Sequence, residues 1–190
     1  STKAYSMNYS IKPEDVRVEK KFVARADTLT LIQNWIQHSP EHFREVYEPR
    51  WVNNIYFDSH DYSAYEENLT GTSQRVKLRY RWYGDRDLRG PGAVELKFKR
   101  NDFGWKFKVP VDIPMSNHSP RYIELHRILR KQGMPSMTKW FDRFPFAVLT
   151  NRYYRRYYVS ANQQLRITLD THLKSFDQRF ASRVSWTRTG

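Results

Sequence analysis

The sequence contains no cysteine, and this absence removes several functional classes at once. Without thiols the chain has no disulfides, no thiolate zinc site and no cysteine nucleophile. Glycine is scarce as well, with 7 residues in 190, and neither G-x-x-x-x-G-K-[ST] nor G-x-S-x-G occurs. A glycine-rich backbone loop that cradles phosphates is therefore not expected, so any phosphate site in this chain has to be built from side chains.

Long apolar runs are also missing. No segment approaches the roughly 20 apolar residues that a membrane-spanning helix needs, and residues 1–10 show no apolar core of a secretory signal. We therefore expect no membrane segment in this chain and a cytoplasmic location. The chain does have the material for a core, because 39% of its residues are hydrophobic and 16% are aromatic. This composition is typical of one globular domain and not of a disordered chain.

Positive charge is in excess and is segregated along the chain. The 33 Lys and Arg outnumber the 20 Asp and Glu and give a net charge of +13. Residues 75–108 contain eleven basic and four acidic residues, and residues 152–190 contain eight and two, so these two segments contribute +7 and +6. Together they account for the whole excess. Such segregation indicates an anionic partner: nucleic acid, a phosphate-rich small molecule or a membrane surface.

Hydrophobic periodicity predicts an α+β domain built on antiparallel strands with a few outer helices. Alternation predicts strands at 15–24, 51–58, 73–82, 93–100, around 106–108, at 147–159 and at 164–170. Helical spacing predicts helices over 27–38 with Asp27 as N-cap, over 59–69 and over 119–132. Asp58 and Asp170 end two of the strands, and we interpret them as caps or ion-pair partners of arginines.

Three consecutive strands place their basic residues on one side. In SQRVKLRYRW (73–82) basic and apolar residues alternate strictly, and the next two strands repeat the pattern. The charged positions are Arg75, Lys77, Arg79, Arg81, Glu95, Lys97, Lys99, Lys106 and Lys108. Like charges that face one another across strands destabilise a sheet, so this side is expected to be neutralised by an anion.

The apolar sides of these strands have to pack against the helices, which leaves the cationic side pointing away from them. Curling the sheet would enclose that side in an antiparallel β-barrel. Unpaired buried charges cost several kcal/mol each, so the interior is predicted to be a wet tunnel and not a packed core. Basic positions that extend along several strands suit a long polyanion such as polyphosphate, or a nucleoside triphosphate.

Two carboxylates, Glu19 and Glu95, stand on the same sides as these cations. Two interpretations remain open for them. They are either ion-pair partners of the neighbouring basic residues or ligands of a Mg²⁺ or Mn²⁺ ion that bridges phosphates.

Six segments together resemble the VTC domain, the catalytic domain of the vacuolar transporter chaperone polyphosphate polymerases in the CYTH, or triphosphate tunnel metalloenzyme, superfamily. The segments are RVEKK (17–21), VNNIYFDS (52–59), LRYRWYG (78–84), ELKFK (95–99), YYRRYY (153–158) and LRITLDT (165–171). They occur in the family's order, with arginines and lysines at its tunnel positions.

The resemblance implies transfer of the ATP γ-phosphate to a growing polyphosphate chain, with Mn²⁺ or Mg²⁺ as cofactor. ATP and polyphosphate are the implied ligands, with inorganic phosphate or pyrophosphate as further ones. The expected catalytic positions are Arg79, Arg81, Lys97 and Arg166. The expected phosphate-binding positions are Lys21, Lys106, Lys108 and Arg155, to which the cationic side adds Lys77 and Lys99. In the family a glutamate of a later Glu-x-Lys strand binds the metal, so within residues 1–190 the expected metal ligands are the carboxylates on the charged sides, Glu19 and Glu95.

The resemblance also implies a Glu-x-Lys strand and a closing helix after LRITLDT, and the sequence to residue 190 shows neither. We therefore expect a single tunnel domain over residues 1–190 without these two elements. Three alternatives remain: a non-catalytic sensor of polyphosphate or inositol phosphates, a tunnel triphosphatase and a nucleic-acid-binding module. The last is disfavoured because Tyr80 and Trp82 alternate with Arg79 and Arg81, so stacking rings and phosphate-binding groups would face opposite sides.

Overall fold

The computed structural model describes residues 20–64, 66, 70, 74–88, 90–100, 103–114, 120–133 and 135–187, with side chains omitted at 74, 75, 99, 100 and 103–105. The chain divides into two compact units, residues 1–43 and residues 44–190. Each unit is described by itself.

In the described part of the first unit, residues 20–43, helix α1 lies at Leu29–His38 and follows a 3-10 turn at Ala26–Thr28. The predicted helix over 27–38 is confirmed, but Asp27 as N-cap is wrong because Thr28 occupies that position. Asp27 instead lies in the 3-10 turn and pairs with Arg25 at 2.6 Å. Residues 20–25 form no regular structure, so the predicted strand over 15–24 is wrong in its described part, and 15–19 lie outside the described residues.

The described residues of the second unit form a six-stranded antiparallel sheet, two helices of at least nine residues and a short helical stretch. Its strands are β1 Arg44–Asp58, β2 Gln74–Tyr83, β3 Gly90–Arg100, β4 Phe103–Ile113, β5 Phe146–Val159 and β6 Arg166–Asp177. Its helices are α2 at Tyr122–Gln132 and α3 at Pro135–Arg143. Residues 63, 64 and 66 are helical whereas 59–62 are not, so the short helix predicted over 59–69 is confirmed only at those three positions and begins later than predicted.

The strands lie in the order β4-β3-β2-β1-β5-β6, and all neighbouring pairs are antiparallel. The α+β class is therefore confirmed. Among the described residues no strand connects β4 to β6, so the sheet is open and the predicted closure into a barrel is not confirmed. The segment expected to supply a further strand, residues 15–24, forms no strand in its described part, residues 20–24.

One face of the sheet packs against α2 and α3. Leu78, Tyr80 and Leu96 contribute from the strands and are each at most 2% exposed, and Leu125 and Phe141 contribute from the helices and are fully buried. These residues alternate along β2 and β3 with charged ones, as the period of two predicts. Burial of this apolar face fixes the register of the strands, since a slip by one residue would place the charged side against the helices.

The β2–β3 hairpin relies on glycine at two kinds of position. Gly84 ends β2 with φ +86°, a conformation that a side chain disfavours. Gly92 faces a different restriction, because a Cβ there would overlap the Tyr80 hydroxyl and lie 2.7 Å from the carbonyl oxygen of Arg81. The close approach of Tyr80 to the β3 backbone therefore requires glycine at position 92.

Candidate functional site

The face of the sheet opposite α2 and α3 carries the charged positions of β2, β3 and β4, and we call it the cationic face. Cross-strand pairing places Glu95 between Arg79 and Lys108, and Lys97 between Lys77 and Lys106. The basic residues predicted from alternation along three strands therefore lie side by side. Beyond β2, the same face of the sheet continues across β1, β5 and β6.

Glu95 is the centre of this face. It is 1% exposed although it lies on the side away from the helices. Its carboxylate accepts hydrogen bonds from Arg79, with 2.7 Å between Nε and Oε2. The other oxygen, Oε1, lies 3.2 Å from the Lys106 ammonium and 3.8 Å from an Arg81 nitrogen. One carboxylate thus contacts three cations. This group, Glu95 with Arg79, Arg81 and Lys106, has an excess of two positive charges.

Two opposing effects act on the pKa of the Glu95 carboxyl. Burial alone would raise the pKa of its carboxyl, but the positive charges of Arg79, Arg81 and Lys106 outweigh burial and hold the pKa below its usual value. Glu95 is therefore ionised at neutral pH. The interpretation of this carboxylate as an ion-pair partner is the one that the contacts match.

Arg81 is the most enclosed cation of the group, with 8% of its surface exposed. Its Nε donates to the Asn54 side-chain oxygen at 2.8 Å, and its NH2 donates to the Tyr153 hydroxyl at 3.4 Å. Asn54 is fixed in turn by donating to Asn151 at 2.8 Å. These neutral partners hold the guanidinium in place without cancelling its charge.

Tyr56 also belongs to this site, and sequence reasoning missed it. Arg79 donates to the Tyr56 hydroxyl at 3.3 Å. Burial would raise the pKa of this phenol, but the charges of Arg79 and Arg81 outweigh it and lower the pKa. The sequence carried a usable signal, because Asn53-Asn54 within an otherwise apolar strand indicates polar groups that need buried partners.

A second ion pair lies on β5 and β6, where Arg155 and Asp170 are direct cross-strand partners. The pair is bidentate, with Arg155 Nε donating to Oδ1 at 2.6 Å and NH2 to Oδ2 at 2.7 Å. Burial would lower the pKa of the Arg155 guanidinium, but the contact with Asp170 outweighs burial and raises it. Asp170 as ion-pair partner of an arginine is therefore confirmed, and Tyr153 connects the two groups because its ring lies 4.9 Å from the Arg155 guanidinium.

The remaining predicted site residues lie outside the group around Glu95. Lys97, Lys108 and Arg166 are exposed, as is Lys77, and Arg166 lies four residues from Asp170 along β6, about 13 Å from it. Arg166 pairs with Val159 at the end of β5, whereas Asn54, the partner of Arg81, pairs with Asn151. Arg166 is therefore not brought into the group around Glu95. Lys99 is placed by its backbone beside Gly104. Lys21 lies in the first unit and is exposed, and Glu19 lies outside the described residues.

The carboxylates that the structure describes do not fit a divalent cation. Oxygen ligands of Mg²⁺ or Mn²⁺ have to be free to coordinate, whereas both oxygens of Glu95 already contact Arg79, Arg81 or Lys106. Within the described residues no three Asp, Glu or His side chains come together. Asp58 is occupied as well, since it accepts from the backbone N–H of Ser59 at 2.8 Å and of Ala64 at 2.9 Å, which confirms it as a cap.

Comparison with known proteins agrees with the geometry. The sequence profile of the VTC domain matches residues 16–190, which is most of the chain and includes every strand described above. The chain therefore belongs to the VTC domain family, which is associated with polyphosphate polymerases. A search of curated proteins returned no match.

No helix in the described part of the chain has the length and apolarity needed to cross a lipid bilayer.

Proposed function

We propose that this chain is the catalytic domain of a polyphosphate polymerase, which transfers the γ-phosphoryl group of ATP to the end of a polyphosphate chain bound on the cationic face. Its ligands are ATP and polyphosphate, with inorganic phosphate or pyrophosphate as starting acceptors. Since ATP is the donor, we propose that the reaction takes place on the cytoplasmic side.

The observation that carries the proposal is the group around Glu95. Arg79, Arg81 and Lys106 share one buried carboxylate, so two positive charges are left over in a partly enclosed place. Such an excess is costly unless an anion enters. Arginines suit phosphate oxygens because they donate two parallel hydrogen bonds, and lysine adds a compact charge.

The chemistry needs no nucleophile from the protein. A terminal oxygen of the acceptor phosphate forms the new bond to the γ-phosphorus, the bond from that phosphorus to the β–γ bridging oxygen breaks, and ADP leaves with the electron pair. Catalysis of phosphoryl transfer then consists of alignment and charge neutralisation. Arg79 and Arg81 would neutralise the charge spread over the transferred group, and Lys106 and Lys97 would align the acceptor.

The metal requirement stays part of the proposal as an expectation from the resemblance. Because the described carboxylates do not fit Mn²⁺ or Mg²⁺, we derive no step through a metal. Titration of each cation into the assay below measures the requirement directly.

The test is synthesis of polyphosphate from ATP by the purified chain, followed with and without Mn²⁺ or Mg²⁺. Arg81→Gln is expected to lower the rate at least about a hundredfold, which is the loss typical of removing one donor to the transition-state charge. Arg130→Gln is the matched control: it removes the same charge from α2, where Arg130 pairs with Asp142 at 2.6 Å on the far side of the sheet.

Two results would overturn the polymerase proposal. The first is full activity of Arg81→Gln, since the reaction would then take place elsewhere. The second is tight binding of polyphosphate or inositol hexakisphosphate without turnover under any metal condition, which would identify a sensor. Competition with duplex DNA of equal charge at about 0.15 M salt covers the remaining alternative, and we expect polyphosphate to be preferred.

A further inference from the structure

Arg50, on β1, is a cation of the cationic face that the sequence did not single out. It is the direct cross-strand partner of Arg155, and alternation along β1 places it on the same side as Asn54 and Tyr56. Two arginines directly opposite one another are unfavourable unless both charges are balanced. Asp170 balances Arg155 through the bidentate pair. The structure describes no carboxylate within ion-pair distance of Arg50.

Tyrosine rings take the place of a carboxylate around Arg50. The guanidinium carbon lies 4.2 Å from the centre of the Tyr83 ring, 5.2 Å from that of Tyr157 and 5.7 Å from that of Tyr47. Cation–π contacts of this kind stabilise the position of the charge but do not neutralise it. The Nε atom of Arg50 is buried and makes no hydrogen bond to any described residue. This N–H group is therefore a donor that the tyrosine rings do not satisfy.

A guanidinium held between rings is well suited to an anion, because its faces are covered while its edge keeps N–H donors in a fixed plane. Arg50 lies four residues along β1 from Asn54, the partner of Arg81, which corresponds to about 13 Å. Arg79 pairs with Tyr56, which lies six residues or about 20 Å along β1 from Arg50, so a triphosphate centred on Arg79 and Lys106 is too short to reach Arg50. A longer chain of phosphates can follow the face past Tyr153 and Arg155 to reach it.

We propose that Arg50 is a phosphate-binding residue for the distal part of a long polyphosphate chain, and that the tyrosines Tyr47, Tyr83 and Tyr157 position it. This inference rests on the proposed function for the identity of the polyanion. It adds a division within the site: the residues around Glu95 bind any triphosphate, whereas Arg50 discriminates by length.

The test compares affinities for tripolyphosphate and for long-chain polyphosphate by calorimetry, without ATP, so that it does not depend on turnover. Arg50→Gln is expected to weaken binding of the long chain about tenfold or more, the usual value of hydrogen bonds to a charged group, and to leave tripolyphosphate within about twofold. Arg156→Gln is the matched control, because Arg156 is on the next strand but on the other face, paired with Glu45 at 3.3 Å.

Two variants of Tyr83 test whether its ring positions Arg50 for binding of the long chain. Tyr83→Phe keeps the ring and should preserve the affinity for the long chain, whereas Tyr83→Leu removes the cation–π contact and should reproduce part of the Arg50→Gln loss. Equal losses for both ligands in Arg50→Gln, or no loss for either, would overturn the role of Arg50 while leaving the polymerase proposal standing. Failure of the unmodified chain to bind either ligand would overturn both.

Discussion

Replacing Glu95 by glutamine tests the electrostatic account of the site most directly. Glu95→Gln keeps the shape and removes the negative charge, so Arg79 and Arg81 lose the only carboxylate that the structure describes beside them. Removing one partner of a buried ion pair costs about 3–5 kcal/mol. We expect about 3 kcal/mol, at the lower end of that range, because the Lys106 side chain is 47% exposed and the Arg79 side chain 22%.

For a chain of this size each kcal/mol lowers the melting temperature by about 2–4 °C, so Glu95→Gln should melt roughly 6–12 °C below the unmodified protein. The measurement is thermal unfolding followed by circular dichroism in a buffer without phosphate. Asp142→Asn is the control: it breaks the exposed pair with Arg130, and exposed pairs are worth at most about 1 kcal/mol.

In Glu95→Gln the affinity for tripolyphosphate should rise although the stability falls. Glu95 competes with phosphate oxygens for Arg79, Arg81 and Lys106, so its removal is expected to tighten tripolyphosphate binding and to let the ligand restore much of the lost stability. A metal ligand would behave differently, because its loss would weaken metal-dependent binding. A melting temperature within about 2 °C of the unmodified protein, or weaker tripolyphosphate binding, would refute the reasoning.

The pH dependence has the same origin. Because the folded-state pKa of Glu95 is lowered, its contribution to stability is complete above the unfolded-state pKa of about 4.3 and is lost as pH falls through the folded-state value. Acid unfolding of the unmodified protein should therefore include a component below pH of about 4 that Glu95→Gln lacks.

Two further predictions concern tyrosines on opposite faces of the sheet. Tyr56 should ionise at a lower pH than an ordinary tyrosine because Arg79 and Arg81 outweigh its burial, and the difference in tyrosinate absorbance between the unmodified protein and Tyr56→Phe measures this. Tyr80→Phe should raise the free energy of unfolding in urea by about 1 kcal/mol, because the Tyr80 hydroxyl is buried without a hydrogen-bond partner among the described residues.

Each of these has a clear contrary result. If the absorbance assigned to Tyr56 appears at or above the ordinary pKa of about 10, the charges of the arginines do not reach the phenol. Bound tripolyphosphate should move the same absorbance to higher pH, since it adds negative charge beside the ring. If Tyr80→Phe unfolds at lower urea concentration, the hydroxyl has a partner that the contacts above do not include.

The cationic face was predictable from the alternation of charged and apolar residues within each strand. In β2 Arg79 and Arg81 lie opposite the apolar residues, in β3 Glu95 does the same, and burial of both apolar sides against the helices places all three on one face. Which cations share Glu95 was not predictable, because that depends on the pairing of β3 with both neighbours. The same limit explains Arg50, whose relation to Arg155 exists only through the β1–β5 register.

Strand ends and the last helix were predicted less well. β6 continues to Asp177 instead of ending at Asp170, and it passes through His172 with φ +55° and an irregularity opposite Arg152 and Tyr154. Such a bulge breaks the period of two, so alternation cannot follow it. β1 begins at Arg44 and not at Trp51, since its first half pairs through two further irregularities. Helix α3 was missed.

Because Glu95 is a carboxylate fixed within the cationic face, part of that face carries its own counter-ion. On the proposed function, a bound polyanion would replace contacts of Glu95 to Arg79, Arg81 and Lys106, and fewer dissolved anions would be released than the number of basic side chains suggests. Release of dissolved ions is what makes the affinity of basic proteins for polyanions fall steeply with salt. Binding at this face should therefore weaken less with ionic strength than its charge implies, so that affinity is retained at an ionic strength of about 0.15 M.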